Sequence, residues 1–124
     1  MEFTSSLKKN YEFRRVYSKG KSSAQPCLVV YARKNRSPEN RLGITVSNKI
    51  GGAVTRNRIR RRLREAYRLS EALFVCGFDI VIVARHKSVS ADYNRLRSEM
   101  IKASSALGIV LESKSIEKNS ALSD

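Results

Sequence analysis

KIGGAVTRNRIRRRLREAYR, residues 49–68, carries two patterns at once. Gly51 and Gly52 break the chain. Ile59, Leu63, Ala66 and Tyr67 then recur at helical spacing, with Leu73 and Phe74 just beyond. That apolar stripe predicts a long helix from about Ala53 to Glu71. Around the stripe the segment is almost wholly cationic. Residues 56–68 hold seven arginines, Arg56, Arg58, Arg60, Arg61, Arg62, Arg64 and Arg68, against one acid, Glu65. Arg60, Arg64 and Arg68 stack at every fourth position, and Asn57, Arg61, Arg64 and Arg68 make an overlapping row.

Such a helix gives up stability. Like charges four residues apart repel by about 0.2–0.5 kcal/mol per pair. Exposed cations near the helix start oppose the macrodipole by about 0.3–1 kcal/mol each. An ordinary solvated face would scatter acids among these cations. The choice of Arg throughout, with no Lys in the segment after Lys49, also points to phosphate, because the guanidinium fork binds it in a bidentate way and stacks on bases. Asn57 taken alone also fits a local cap or hydrogen bond.

Outward from this helix, RLGITVS (41–47) precedes it and FDIVIVA (78–84) follows, both β-branched, the latter reading as a central strand. CLVVYAR (27–33) is a further strand. The short turn KNRSPEN (34–40) predicts that it lies antiparallel to 41–47. Asn10 is placed to cap a short helix to about Ser18, with Phe13, Val16 and Tyr17 on one face and Gly20 as its stop. Ser90 or Asp92 starts a last helix through Tyr93, Leu96, Met100, Ala103 and Leu107, closed by Gly108. Residues 1–9 read as loosely ordered. The expected fold is α+β, a single sheet of about four strands with helices packed on one face. Residues 1–111 form one RNA-binding domain, and the polar tail 112–124 is expected to be disordered.

The chain has 124 residues, 25 Lys and Arg against 11 Asp and Glu, and a formal net charge of +14. That much charge on one domain calls for an anionic partner, nucleic acid or an anionic membrane. The longest apolar run, Cys27–Ala32, is six residues, far short of the ~20 needed to span a bilayer. No helix has a large apolar face to spare for lipid without depleting the core. No secretory h-region precedes the domain, so a cytoplasmic protein is expected. Cys27 and Cys76 lack zinc-site spacing and read as buried free thiols.

The run Lys49-Ile-Gly-Gly-Ala-Val-Thr-Arg-Asn-Arg, followed by Arg60-Arg61 and Arg64-Glu65, resembles the arginine-rich signature of the bacterial ribonuclease P protein subunit. Leu7-Lys-Lys-Asn-Tyr-Glu-Phe13-Arg-Arg-Val-Tyr17 fits that family's first helix, and the strands at 41–47 and 78–85 fall where the family has its sheet. The resemblance covers about residues 7–107. It implies a two-layer sandwich with a left-handed βαβ crossover, where the usual handedness rule predicts the opposite. It also implies binding to a large catalytic RNA, and help in removing the 5′ leader from precursor tRNA with Mg²⁺ held through the RNA. By position, Lys49, Arg56, Asn57, Arg58, Arg60, Arg61, Arg62, Arg64 and Arg68 would serve RNA. Lys9, Phe13, Tyr17 and Tyr31 would belong to the leader-binding cleft. Tyr17 stands where some relatives have Phe, which keeps a stacking face and adds a hydroxyl.

A single-stranded leader offers phosphates and unstacked bases, so a basic groove with aromatic platforms suits it. The spacing of Phe13 and Tyr17 fits core packing equally well. Tyr31 alternates with Val30, so one of the two faces away from the helices. The acids Glu12, Glu39, Glu65, Glu71, Asp79, Asp92 and Glu99 are scattered, with no paired motif for metal-dependent cleavage. His86 is the one histidine, against the two that metal-free RNA cleavage would want. No catalytic or metal-binding residue is therefore assigned to this chain. A ribosomal protein or general RNA chaperone explains the charge equally well but not the paired aromatics. A protein-only nuclease lacks its carboxylates. A helix-turn-helix DNA binder needs a short helix where 41–47 reads as strand, so no DNA partner is expected.

Overall fold

The structure, a computed structural model, describes residues 1–111, and the expected tail 112–124 lies outside them. In chain order the elements are β1 (Thr4–Ser6), α1 (Asn10–Lys19), β2 (Lys21–Ala24), β3 (Leu28–Lys34), β4 (Asn40–Thr45), α2 (Ala53–Ser70), β5 (Phe78–Ala84) and α3 (Tyr93–Ala106). Short 3₁₀ turns cover Glu71–Leu73 and His86–Val89. The strands form one mixed sheet in the order β1-β4-β5-β3-β2. β4 and β5 are parallel and joined through α2, which makes the βαβ unit that the resemblance implied.

β5 lies in the middle because its apolar run can be covered on both faces. Its insertion changes one expectation. β3 and β4 run in opposite senses, as their short connection requires, yet they do not pair: each is hydrogen-bonded to β5, β3 antiparallel and β4 parallel. Two strands escaped the sequence reading, so the sheet has five strands rather than about four. β1 is three polar residues long, and β2 is Lys-Ser-Ser-Ala. Both are edge strands, where polar residues suit one-sided burial and discourage further pairing. The start of the chain is ordered accordingly. β1 pairs in parallel with β4, Thr4 Oγ1 lies 2.8 Å from Tyr67 Oη, and the Glu2 amide donates to Glu71 Oε1 at 2.8 Å.

Period-two alternation sorts the strands between two faces. Leu28, Val30, Ala32, Leu42, Ile80, Ile82 and Ala84 point to the main core, under Ile59, Leu63, Ala66 and Tyr67 of α2 and Leu96, Met100 and Ala103 of α3. The opposite face holds a smaller cluster in which Leu7 and Val16 pack on Val81, with Phe13, Tyr31 and Val83 against them. Two helices therefore share one face, and α1 takes the other. Nothing in the helical stripe of α1 encodes which side of the sheet receives it.

Helix ends follow local chemistry. Asp92 caps α3 by accepting the Arg95 amide at 2.8 Å. Asn10 is the first residue of α1 rather than its cap. Lys9 takes that position, and Glu12 reaches back to accept the amides of Lys9 at 2.9 Å and Lys8 at 3.2 Å. These backbone donors, helped by Arg41, hold Glu12 below the usual carboxylate range. Cys27 is buried, as read, but Cys76 is exposed.

Candidate nucleic-acid interface

α1 runs along β4, and a series of side-chain pairings fixes it there. Arg41 binds Asp79 with both arms of its fork, Nε to Oδ1 at 2.8 Å and Nη2 to Oδ2 at 2.7 Å, and pairs through Nη1 with Glu12 of α1. Its bond to Asp79 is the main reason that Arg41 is raised above its ordinary value. Two residues along the same face, Gly43 leaves room for the Phe13 ring. A Cβ there would come within 2.4 Å of Phe13 Cε1. Two residues further, Thr45 Oγ1 lies 3.0 Å from the Tyr17 hydroxyl. Arg41, Gly43 and Thr45 thus meet Glu12, Phe13 and Tyr17 in turn.

Sheet register brings Tyr31 into the same site. Gly43, Val81 and Tyr31 lie in one row across β4, β5 and β3. The Tyr31 ring packs edge-on against Tyr17, with centroids 4.9 Å apart and planes at 78°. Tyr17 remains 37% exposed, enough to offer an aromatic surface to a ligand. Asn10, Phe13, Arg14, Tyr17 and Thr45 line a shallow groove of about 500 Å³. Half-buried Val29 and Val83 continue the same sheet face in register with Thr45. The groove therefore combines an apolar strand floor, stacked tyrosines and the exposed cation of Arg14.

Of the four residues expected in a cleft, the structure brings Phe13, Tyr17 and Tyr31 together. Lys9 stands apart. Its ammonium lies 5.8 Å from the ring centroid of exposed Tyr11, which also meets the Arg15 guanidinium at 5.7 Å. Arg14, Asn10 and Thr45 were missed as groove residues. Helical spacing carried the signal for the first two, since residues 10, 13, 14 and 17 share one face. Thr45 was legible once Gly43 was recognised as inward-facing.

α2 lies across the sheet from this groove. Its first turn has no acid, and Gly52 supplies no side-chain cap, so its positive end is left uncompensated. Lys49 is exposed on the loop just before it. The arginines divide by their position around the helix. Arg58 and Arg62 reach the carbonyls of Val89 and Ala91 at 3.4 and 3.1 Å, which ties α2 to the segment before α3. Arg60 donates to Asn57 Oδ1 at 3.1 Å, and Arg68 pairs with Glu65. Half-buried Arg56 has a buried Nε without a partner. Arg61 and Arg64 are exposed on the outermost line, and among the described residues neither forms an ion pair.

His86 is exposed beside Arg85 and Lys87 at a separate depression near Pro26. Among the described residues no three His, Cys, Asp or Glu side chains are grouped to hold a metal ion. No helix there is long and apolar enough to cross a membrane.

The family model described as Ribonuclease P matches residues 1–108. The ribonuclease P protein component of Thermoanaerobacter sp. strain X514 is 49% identical over 96 residues, covering 77% of this chain and 83% of its own. That of Natranaerobius thermophilus is 39% identical over 113 residues, covering 91% and 93%. Among solved structures, the Staphylococcus aureus RNase P protein superimposes with a TM-score of 0.78 at 32% identity, over 85% of this chain and 96% of its own. The Thermotoga maritima protein gives 0.72 at 33% identity, over 77% and 91%.

Proposed function

The chain belongs to the ribonuclease P protein family, and we propose that it divides the work of that subunit between the two faces of its sheet. It is the protein component of the ribonucleoprotein that removes the 5′ leader from precursor tRNA, and its partners are ribonuclease P RNA and the precursor. The active centre belongs to the RNA. Within residues 1–111 as one RNA-binding domain, the groove beside α1 receives the single-stranded leader. Tyr17 and Tyr31 offer ring surfaces for unstacked bases, Phe13 wedged on Gly43 sets the tilt of α1, and Arg14 meets phosphate. Lys9 adds charge at the start of α1.

Opposite this groove, Arg61 and Arg64 lead the contact with catalytic RNA. Asn57, Arg60 and Arg68 lie beside them, and Lys49 and Arg56 serve at the positive end of the helix. Arg58 and Arg62, whose guanidinium groups bind backbone carbonyls, position the helix. The observation that carries this reading is the separation itself: the aromatic groove and the arginine row lie on opposite sides of one sheet. A protein so built can hold two polyanions at once and screen the repulsion between them. Mg²⁺ is held through the RNA. The chain's own carboxylates are not gathered for an ion, and no step is routed through a protein-bound metal. The compartment is the cytoplasm, where precursor tRNA is made in a bacterium.

The test is cleavage of a 5′-extended precursor tRNA at low Mg²⁺ by protein alone, bacterial catalytic RNA alone, and both together. Cleavage restored only in the mixture supports the reading. Robust cleavage by the protein with RNA rigorously excluded overturns it, as does equal binding to unrelated RNAs without rescue.

A further inference from the structure

Five cations have no place in either surface above. At the end of the strands remote from Thr45, a hollow of about 580 Å³ opens between β2, β3, the start of β5 and the end of α3. Lys19, Lys21, Arg33, Lys34 and Arg36 surround it, and Phe78, Leu107 and Ile109 contribute apolar lining. No carboxylate lines it. Among the described residues none of the five forms an ion pair, whereas Arg41, Arg68 and Arg95 each do. The C-terminus of α3 brings only about half a negative charge to this corner.

The rim is built in part from an unusual backbone. Arg36 has φ of 60°, in the left-handed region that favours glycine. Asn35 braces the turn. Its Oδ1 accepts the Ser37 amide at 2.8 Å, and its Nδ2 donates to the Glu39 carbonyl at 3.0 Å and to Asp79 Oδ1 at 2.9 Å. Arg36 is thereby held at the hollow and kept exposed.

Cations around an apolar floor suit a nucleotide with an unstacked base. Phosphate alone would not need the floor, and duplex RNA hides its base faces. We propose that this hollow is a third RNA-docking surface, which takes one unpaired nucleotide with its phosphates on the rim and its base over Phe78 and Leu107. The proposal rests on the RNA-binding reading above and extends it to a face that neither the groove nor the exposed row of α2 reaches. The strand has two sources of the same chemistry: an unpaired segment of the catalytic RNA, or the upstream part of the leader.

Lys34→Gln with Arg36→Gln tests it, against a control of equal charge, Lys8→Gln with Lys102→Gln. One titration measures affinity for catalytic RNA alone. A second measures affinity of the assembled complex for precursor tRNA with long and short leaders. The hollow variant is expected to lose at least tenfold in one titration, which names the source, while the control stays near wild type. The salt slope should become shallower by about 0.7 for each single-strand phosphate that the variant no longer neutralises. No loss in either titration, or a loss matched by the control, overturns the proposal. Wild-type protein in the same titrations reports separately on the proposed function: if it binds and the hollow variant equals it, only the third surface falls.

Discussion

Gly43→Ala places one methyl group where the structure has least room for it. The added Cβ would lie 2.4 and 2.6 Å from Phe13 Cε1 and Cζ, and 3.3 Å from Leu7 Cδ1. Ordinary carbon contacts begin near 3.5 Å, so the ring must retreat by about 1 Å. Phe13 cannot leave alone, because Val16 and the Glu12–Arg41 pair hold the same helix to the sheet. Overpacking of this kind costs about 1–3 kcal/mol. Replacing a strand glycine by alanine returns about 0.5–1 kcal/mol. The net loss expected is about 0.5–2 kcal/mol, a fall in Tm of about 2–8 °C for a domain of this size. Thermal melts read that term directly. Displacing α1 also moves Tyr17, so affinity for a leader-bearing precursor should fall about fivefold, while binding of catalytic RNA through α2 stays unchanged. In a Phe13→Ala background the clash is absent, and Gly43→Ala should then be neutral or stabilising. An equal cost in both backgrounds would refute the reasoning.

Other expectations follow from the same geometry. Arg61→Ala and Arg64→Ala should leave Tm nearly unchanged, and each should flatten the salt dependence of catalytic-RNA binding by about 0.7–0.9 in slope. Arg62→Ala should instead lower Tm, since its guanidinium satisfies the Ala91 carbonyl at 3.1 Å. A normal melt would place it with the RNA contacts. Tyr17→Phe should keep most leader affinity and lose only the bond to Thr45. Tyr17→Ala should cost about 1–3 kcal/mol of leader binding, the range of a base–aromatic stack. Equal losses for the two would show that the hydroxyl, not the ring, is recognised. For Glu71 burial works to raise the carboxyl, but hydrogen bonds from Thr4 and from the Glu2 and Phe3 amides prevail and hold it below the usual range. Glu99 is likewise pushed up by burial and brought down further by the Cys27 amide and Arg95. Both depressed groups stabilise the fold fully above about pH 4.3, their ordinary value, and lose that contribution as pH falls through the folded values. The cost of Glu71→Gln or Glu99→Gln in denaturant titrations should therefore shrink from pH 6 toward pH 3.

Much of this was legible in the residues because local patterns agreed with the global fold. The stripe of Ile59, Leu63, Ala66 and Tyr67 is the buried face of α2, Asp92 is the cap of α3, and Phe78–Ala84 is the central strand. What escaped was non-local. A three-residue strand such as Thr4–Ser6 has no period of its own and exists because β4 offers it an edge and Glu71 binds the amides before it. The insertion of β5 between β3 and β4 depends on α2 crossing the sheet, which a short turn at 34–40 does not encode. The pairing of Phe13 and Tyr17 suited a core and a binding surface equally. The structure resolves this into one ring wedged on Gly43 and another left partly open. Likewise, seven arginines looked equivalent by composition, and only the neighbouring Val89 and Ala91 carbonyls separate Arg58 and Arg62 from the exposed Arg61 and Arg64.

The central claim is that the two faces of the sheet serve different RNAs. Its most direct measurement crosses two variants, Tyr17→Ala and Arg61→Ala with Arg64→Ala, against two affinities: protein for catalytic RNA, and assembled complex for precursor tRNA with and without its leader. The account predicts that the tyrosine variant loses only the leader-dependent affinity and the arginine variant only the affinity for catalytic RNA. Loss of both affinities by either variant, with wild-type melting curves, would contradict it.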